Sequence, residues 1–412
     1  MTDLFKIAIR NLLRYRRRTL LTASLITIGV VFVLIFISIS GSFRAMMVSQ
    51  ITDSMLGHLQ VHRQGYVASI DNLPLNLNLR PSAMKKLEAA LGSLREVESY
   101  SPRIKFGGMF SNFVETTNIR LNGVYPEQEL KTVPLLTSRI SIGKAAIEKG
   151  EIIIPVLLSR GMGVNLGDAV VIVATNKDGS VNGKQFKVAG MIESATGPGG
   201  RDGYVHIEDA VELLRMTETE ISEVAVRLRD FSKLEQNTER LSTLLAGEVN
   251  QQGKPVFEVH NWEKLSPFYN IARMIDVMSF FIKLMLIAIV LISIMNVMIM
   301  AVYERIREIG TIAAIGTPPG KILSMFLIEG LCLGVLGAIS GGFLGVVILY
   351  LINAAEMTFS FGQQTGIILT AAVRPADLLA VSAIVILVSV VASLQPALKA
   401  SRMEPIDALR HV

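Results

Sequence analysis

The sequence contains one cysteine, Cys332, among 412 residues. No disulfide is therefore expected in any part of the chain, and no lipid-attachment cysteine is expected near the N-terminus; a lone thiol leaves the redox compartment open. Histidine is also scarce. His58 and His62 have metal-ligand spacing for a helix, but "HLQVH" alternates as a half-buried strand does, which puts the rings about 13 Å apart. With no cysteine or further histidine nearby to complete a site, no metal is expected. Hydrolase signatures are absent: there is neither His-Glu-x-x-His nor Gly-x-Ser-x-Gly. No internal repeat or low-complexity tract is present.

The most informative absence is of charge. Residues 19–43, 284–303, 330–355 and 378–398 carry no charged side chain. Crossing the hydrocarbon core takes about 20 helical residues, so each run is long enough to span a bilayer. The first run is too long for the usual apolar part of a signal peptide and is read as a retained anchor. Residues 357–373, rich in Thr, Gly, Gln and Phe, are expected to form a loop. Lys6, Arg10, Arg14, Arg16, Arg17 and Arg18 precede the first run, Arg305, Arg307 and Lys321 lie between the second and third, and Lys399, Arg402 and Arg410 follow the fourth. By the positive-inside rule both termini are expected in the cytoplasm, which leaves the long segment 44–273 outside. The formal net charge of +5 is thus mostly a topology signal. Basic residues clustered at membrane edges, not on a soluble face, argue against nucleic acid as a partner.

The predicted fold class is therefore membrane α-helical, with four transmembrane helices and a large α+β extracytoplasmic domain inserted between helices 1 and 2. The expected division is a basic amphipathic helix at 1–18, spans at 19–43, 274–303, 321–355 and 377–398, the external domain at 44–273 with a β-rich lobe, a cytoplasmic link at 304–320, an external loop at 356–376 and a tail at 399–412. Leu4, Ile7, Ala8, Leu12 and Tyr15 fall near one face of the N-terminal helix, suited to lie along the membrane surface or simply to supply the inner flank. In the external segment, Pro81-Ser82 opens a helix with Met84, Leu87, Leu91 and Leu94 at helical spacing. Strands are predicted near 103–114 and 118–124, a hairpin over 169–175 and 185–193, and further strands at 204–207, 222–229 and 256–259. Helices are predicted at 208–216 and 232–246. The alternation suggests an α+β lobe with an inserted β lobe.

Two patterns stand out near the spans. The first is "VYERIREIGTIAAIGTPPGK". It imitates a phosphate loop, but Gly316 and Gly320 have only three residues between them, two of them prolines without a backbone donor, and Ile322 stands where a hydroxyl is required. It reads instead as a short amphipathic helix. Glu304–Arg307 and Arg305–Glu308 form opposite-charge pairs at i,i+3, Ile306, Ile309 and Ala313 lie on another face, and Gly316 with Pro318-Pro319 ends the helix. The second is a stripe of Gly330, Gly334, Gly337, Gly341 and Gly345, which lets helix backbones approach closely, either within the chain or at a seam between subunits. Glu329, at the cytoplasmic end of that run, is placed to snorkel.

"VYERIREIGTIAAIGTPPGKILSMFLIEG" resembles the region after the second helix in permeases of the FtsX-like family, which includes macrolide-exporter-type and lipoprotein-releasing ABC transporters. Glu304, Arg305, Arg307, Glu308, Ile309, Gly310, Gly316, Phe326 and Glu329 match its pattern. "RNLLRYRRRTLLT" resembles the family's N-terminal surface helix, and "QPALKASRMEPIDALR" its terminal motif through Pro396, Ala397, Ala400, Pro405, Ala408 and Leu409. The resemblance implies a dimer of permeases working with an ABC-type ATPase dimer. This chain itself is expected to bind no cofactor, with ATP and Mg used by the partner. The short helix is then the coupling helix, with Tyr303, Glu304, Arg305, Arg307, Glu308, Gly310 and Gly316 at the ATPase contact, and the mechanism implied is mechanotransmission. "IRLNGVYPEQE" and the overall length look most like lipoprotein-releasing permeases of the inner membrane, which pass lipidated proteins to a periplasmic carrier. On that reading Phe43, Met46, Met47, Ile51 and Met55 are a candidate wall for acyl chains, or else a helix packed on its neighbour. The hairpin tip at 176–183 is a candidate for a carrier dock. Three alternatives remain at this level: efflux of hydrophobic drugs or peptides with an adaptor, an FtsX-like signal transducer acting on a cell-wall hydrolase, and a membrane receptor that uses no ATPase.

Overall fold

The computed structural model describes residues 2–194, 201–250, 252–266, 268–356, 358–361, 364–368, 370–372 and 374–404. The chain divides into two compact units, one comprising Met1–Ala45, Arg273–Thr358 and Ile368–Val412, the other Met46–Ala272 and Phe359–Ile367. The architecture is a membrane-type helical unit with four candidate spans and a large α+β domain inserted in the chain between the first and second of them.

Among the described residues, four helices are long and apolar enough to cross a membrane: Thr19–Leu56, Tyr269–Glu304, Pro319–Ala354 and Pro375–Ser401. They outrun the charge-free stretches because backbone hydrogen bonding continues through flanking residues such as Arg44 and Asp276, which pair at 2.7 Å in the helical unit. At about 1.5 Å per residue, 36 residues exceed the roughly 30 Å hydrocarbon thickness. The inner faces share one core that includes Ile26, Val30, Val290, Ile294, Met298, Phe326, Leu333, Val385 and Ala392. Outward-facing Leu20, Phe32, Phe280, Phe281, Phe343 and Leu387 are exposed, as an apolar solvent around the bundle requires.

The N-terminal helix Thr2–Arg14 breaks at Tyr15 before the chain resumes as Arg16–Ile51. The Thr19 hydroxyl donates to the Leu12 carbonyl at 2.7 Å, across the break, and to the Tyr15 carbonyl at 3.2 Å, which also accepts the Thr19 amide at 3.1 Å. At the other end of this long helix a π-helical turn, Thr52–Leu56, closes on Gly57 with φ +76°. Between the third and fourth spans the expected loop contains two short strands, Thr358–Phe361 and Gln364–Ile368, which pair as a two-stranded sheet.

Among its described residues the inserted domain has ten strands: β1 (Leu59–Arg63), β2 (Val97–Ser111), β3 (Thr116–Val124), β4 (Ile140–Gly143), β5 (Glu151–Pro155), β6 (Ala169–Thr175), β7 (Val181–Ile192), β8 (Asp202–His206), β9 (Glu223–Leu228) and β10 (Phe257–Asn261). They form one sheet in the order β10-β1-β9-β2-β3-β8-β5-β7-β4, with β6 pairing β2 and β7. The strand-rich middle, expected as an inserted β lobe, shares this sheet with the rest of the domain, because the 15-residue β2 runs from β9 at one end to β3 and β6 at the other. β1 and β10, through which the chain enters and leaves the domain, are antiparallel neighbours with Val61 opposite Val259. The helix Ile207–Leu213 packs close on β3 because Gly123 has no side chain: a Cβ there would stand 2.5 Å from that of Ala210.

A charged network lies in the domain interior. Arg103, 3% exposed, grips Glu129 with two bonds of 3.0 and 2.7 Å and reaches Glu223 at 2.9 Å. Lys105 approaches the other Glu223 oxygen at 3.2 Å. Buried ions survive only when paired and hydrogen-bonded, and here the cation is satisfied on three sides.

Candidate functional site

The chain turns at Arg305, whose φ and ψ of −115° and 17° separate the second span from the short helix Ile306–Ala314. Ile306, Ile309 and Gly310 face inward. The helix stops where the Gly316 amide returns to the Ala313 carbonyl and Thr317 to that of Ile312, with Gly316 at φ +96°. A left-handed residue here is nearly free for glycine and costly for others. Pro318 and Pro319 then start the third span, where a missing amide hydrogen costs nothing.

Arg305 is the hub. Its side chain is 5% exposed; Nη1 donates to Glu329 Oε1 at 2.8 Å and Nε to Glu308 Oε2 at 3.1 Å. Its guanidinium carbon lies 5.5 Å from the centre of the Tyr15 ring. The N-terminal helix joins the same cluster. Asn11 Nδ2 donates to Glu329 Oε1 at 3.1 Å, the Tyr15 hydroxyl donates to Glu308 Oε1 at 3.1 Å, and Arg14 lies 3.8 Å from that oxygen. Burial raises the pKa of Glu308, but the bonds from Arg305 and Tyr15 outweigh it and hold the carboxyl below its ordinary range. Three segments are thereby fastened together: the N-terminal helix, the short helix and the start of the third span. Lys399 adds a fourth, donating to the Tyr303 hydroxyl at 2.8 Å and standing over its ring.

This arrangement divides the expected coupling residues. Glu304 and Arg307 are exposed, Tyr303 is exposed with its hydroxyl engaged by Lys399, and Glu308 is half-buried. Arg305 and Gly310 are not on the outer surface, which corrects their assignment to a partner contact: Arg305 is committed to carboxylates inside the chain and Gly310 is buried. The outer face instead carries Ile312 and Ile315, 37% and 80% exposed, apolar positions that the charged motif drew attention away from. Gly316 is exposed at the helix end.

Each glycine of the stripe meets a helix of its own chain. A Cβ on Gly330 or Gly334 would lie 2.7 Å from that of Ser393 or Ser389 on the fourth span. On Gly337 and Gly341 it would lie 2.7 and 2.6 Å from Ile26 and Val30 of the first, and on Gly345 it would meet Leu34. Of the candidate acyl wall, Met47 and Ile51 are 1% and 4% exposed and have no surface to offer; Phe43, Met46 and Met55 are half-buried. His58 and His62 are held separately: His58 donates to Asp53 and accepts the Leu228 amide, whereas His62 stacks on Tyr66. The 176–183 tip is a compact turn in which the Asn176 and Ser180 backbones and side chains pair, with Val181 exposed beside it. Pro405, Ala408 and Leu409 of the terminal motif lie outside the described residues.

A short surface helix fixed to two spans, in a chain with a large domain inserted after the first, has clear relatives. Residues 280–405 match the model of the FtsX-like permease C-terminal region, and residues 19–244 match that of the MacB-like periplasmic core domain. The chain belongs to the FtsX-like, MacB-type permease family. The permease is 23% identical over 414 residues to the lipoprotein-releasing system transmembrane protein LolC of Neisseria meningitidis serogroup B, covering 95% of this chain and 94% of that protein. It is also 23% identical to a probable export ATP-binding/permease protein MacB of Pseudomonas entomophila, covering 99% of this chain and 58% of that protein. Over 124 residues, 29% of this chain and 28% of that protein, it is 36% identical to the ABC transporter permease YtrF of Bacillus subtilis. It is thus an ABC transporter permease of LolC/MacB type and a multi-pass membrane protein.

Proposed function

We propose that this permease transmits ATP-driven motion from a separate ABC-type ATPase dimer to its extracytoplasmic domain, and that its cargo is lipoproteins or related amphiphiles drawn from the outer leaflet of the inner membrane. The chain works with a second permease, identical or homologous, has both termini in the cytoplasm, and hands its cargo to a periplasmic carrier. The observation that carries this reading is the fastened short helix. Its inner side is bonded to the N-terminal helix and the third span through Arg305 and Glu329, while Ile312, Ile315 and Arg307 are exposed on its outer side. A helix loosely linked to the spans would dissipate a push; one locked by a buried ion pair moves them. Likeness to LolC across nearly the full length of both proteins favours lipoprotein release.

Efflux with an adaptor is the second reading, favoured by the match to MacB over 99% of this chain. Affinity purification from native membranes separates the two. Lipoprotein release expects an ATPase to co-purify and depletion to leave lipoproteins in the inner membrane; efflux expects depletion to lower tolerance to macrolides with lipoprotein sorting intact. Recovery of the permease without any ATPase, in the presence of nucleotide and gentle detergent, would overturn both.

A further inference from the structure

The helix that starts as the first span runs on to Leu56 and ends at Gly57, so its last turn belongs to the inserted domain. Two adjacent residues of that turn are held from different parts of the sheet. Asp53 is bonded to Arg227 of β9 and to His58 Nε2, the latter at 3.2 Å. Gly57 brings the turn close to the same strand: a Cβ there would stand 3.2 Å from both the Val226 amide nitrogen and its carbonyl oxygen. The Ser54 carbonyl is one of those that a helix end leaves without an amide of its own, and it accepts Arg139 Nη1 at 2.9 Å. Arg139 stands at the root of β4. Its Nε and Nη2 donate to the Glu193 carbonyl, just past β7, at 3.0 and 2.7 Å.

Two features set Arg139 apart from an arginine that merely fills a fold. It is 4% exposed, yet among the described residues no carboxylate pairs with it, and carbonyl dipoles alone hold its charge. A buried cation without an anion is costly, and aiming it at a helix C-terminus, where the carbonyls are partly negative, offsets that cost. The second feature is topological. In the sheet order β2, β3, β8 and β5 lie between β9 and β7, so neighbours in the chain are fastened to strands well apart. A shift or rotation of the helix end therefore acts on both parts of the sheet at once.

We propose that Arg139 is the positioning residue through which displacement of the first span's helix reaches the β7–β4 part of the sheet. Asp53 and Arg227 carry the same displacement to β9. This role rests on the coupling reading above and holds for any cargo.

The test uses the full permease with the ATPase that co-purifies with it, in lipid nanodiscs and in a Cys332→Ser background. Spin labels are attached through Gln185→Cys, at an exposed position of β7, and Arg229→Cys, exposed just after β9. Their separation is measured by double electron–electron resonance without nucleotide and after trapping with ATP and orthovanadate. The wild-type separation should shift on trapping. In Arg139→Met, which keeps apolar bulk but has no donor, the shift should be lost while the ATPase stays bound and still traps nucleotide. Arg139→Lys keeps the charge without the planar fork that spans two carbonyls, and should shift by less than the wild type. A purely structural arginine would instead lower the melting temperature in both variants and leave the full shift in the protein that folds. A full shift in either folded variant would overturn the proposal and leave the coupling reading standing. A wild-type separation indifferent to trapping, with the ATPase bound, would overturn the coupling reading and the proposal with it.

Discussion

Arg305 and Glu329 meet at 2.8 Å across a separation of 24 residues, with side chains 5% and 1% exposed. The pair joins the turn after the second span to the third span, and Asn11 of the N-terminal helix shares the same Glu329 oxygen. Removing one member of a buried pair strands the other without water, at about 3–5 kcal/mol. Arg305→Ala and Glu329→Ala should therefore each lower the melting temperature of the detergent-solubilised protein by several degrees. The Arg305→Met/Glu329→Met double variant should recover much of the loss, since neither charge then remains buried. A double variant as unstable as the sum of the singles would show that the pair acts independently of each other.

The surface side of the same helix should behave in the opposite way. Ile315, 80% exposed, contributes little to the fold, so Ile315→Asp should leave thermal stability unchanged. In the coupling reading it should weaken co-purification of the ATPase by about tenfold or more, as loss of an apolar anchor at an interface does. Arg307→Glu should lower complex formation without unfolding, whereas Arg305→Glu should destabilise the permease itself. Equal effects of Arg305→Glu and Arg307→Glu on stability would contradict the burial that distinguishes them.

The spans were legible because charge-free length is a direct physical requirement of the bilayer, and β6 at Ala169–Thr175 because its short β-branched run leads into a polar Asn/Asp/Gly turn. β5 was missed: its apolar core is only Ile152 to Ile154, too short a run to separate strand from helix by period. The single sheet was not legible either, since no local signal states that β2 is long enough to serve both lobes. At the site, the i,i+3 spacing suggested that Arg305 and Glu308 were paired on a surface. The pairing is present, but the burial of Arg305 depends on Glu329 and Asn11, one of them 318 residues from its partner. A lone acid inside an apolar span was the available signal, because such a group ordinarily requires a counter-charge.

Close helix packing makes a further prediction at Gly341. A Cβ there would stand 2.6 Å from Val30 Cβ and 3.0 Å from the Thr27 carbonyl oxygen, and backbone cannot yield as a flexible side chain can. Gly341→Ala should cost about 1–3 kcal/mol through separation of the first and third spans. Gly320→Ala, at an exposed position where a Cβ would meet nothing within 4 Å, is the control and should be neutral or slightly stabilising. Both are read from thermal unfolding in the same detergent. Equal behaviour would mean that the spans do not pack at Gly341.

Acid should weaken the inserted domain through Glu223. Burial alone would raise its pKa, but Lys105, His62 and Arg103 together hold the carboxyl well below the ordinary glutamate value of 4.5. A depressed native pKa means that the ionised group stabilises the fold at pH values above about 4.5. As the pH falls below 4.5, the unfolded chain takes up a proton that the native carboxyl still refuses, so this stability drains away until the native pKa is passed. Thermal unfolding of the wild-type permease should accordingly become steeply pH-dependent below about pH 4.5. Glu223→Gln should melt lower at pH 6.5, because Arg103 and Lys105 lose a buried counter-charge, yet should lose less on acidification. Glu151, held low by the Glu148 amide and Lys144 against its own burial, retains part of the acid dependence. The slopes should therefore converge without the variant's becoming flat. Parallel curves for wild type and Glu223→Gln between pH 6.5 and the acid transition would show that the Glu223 proton is not among those that couple acid to unfolding.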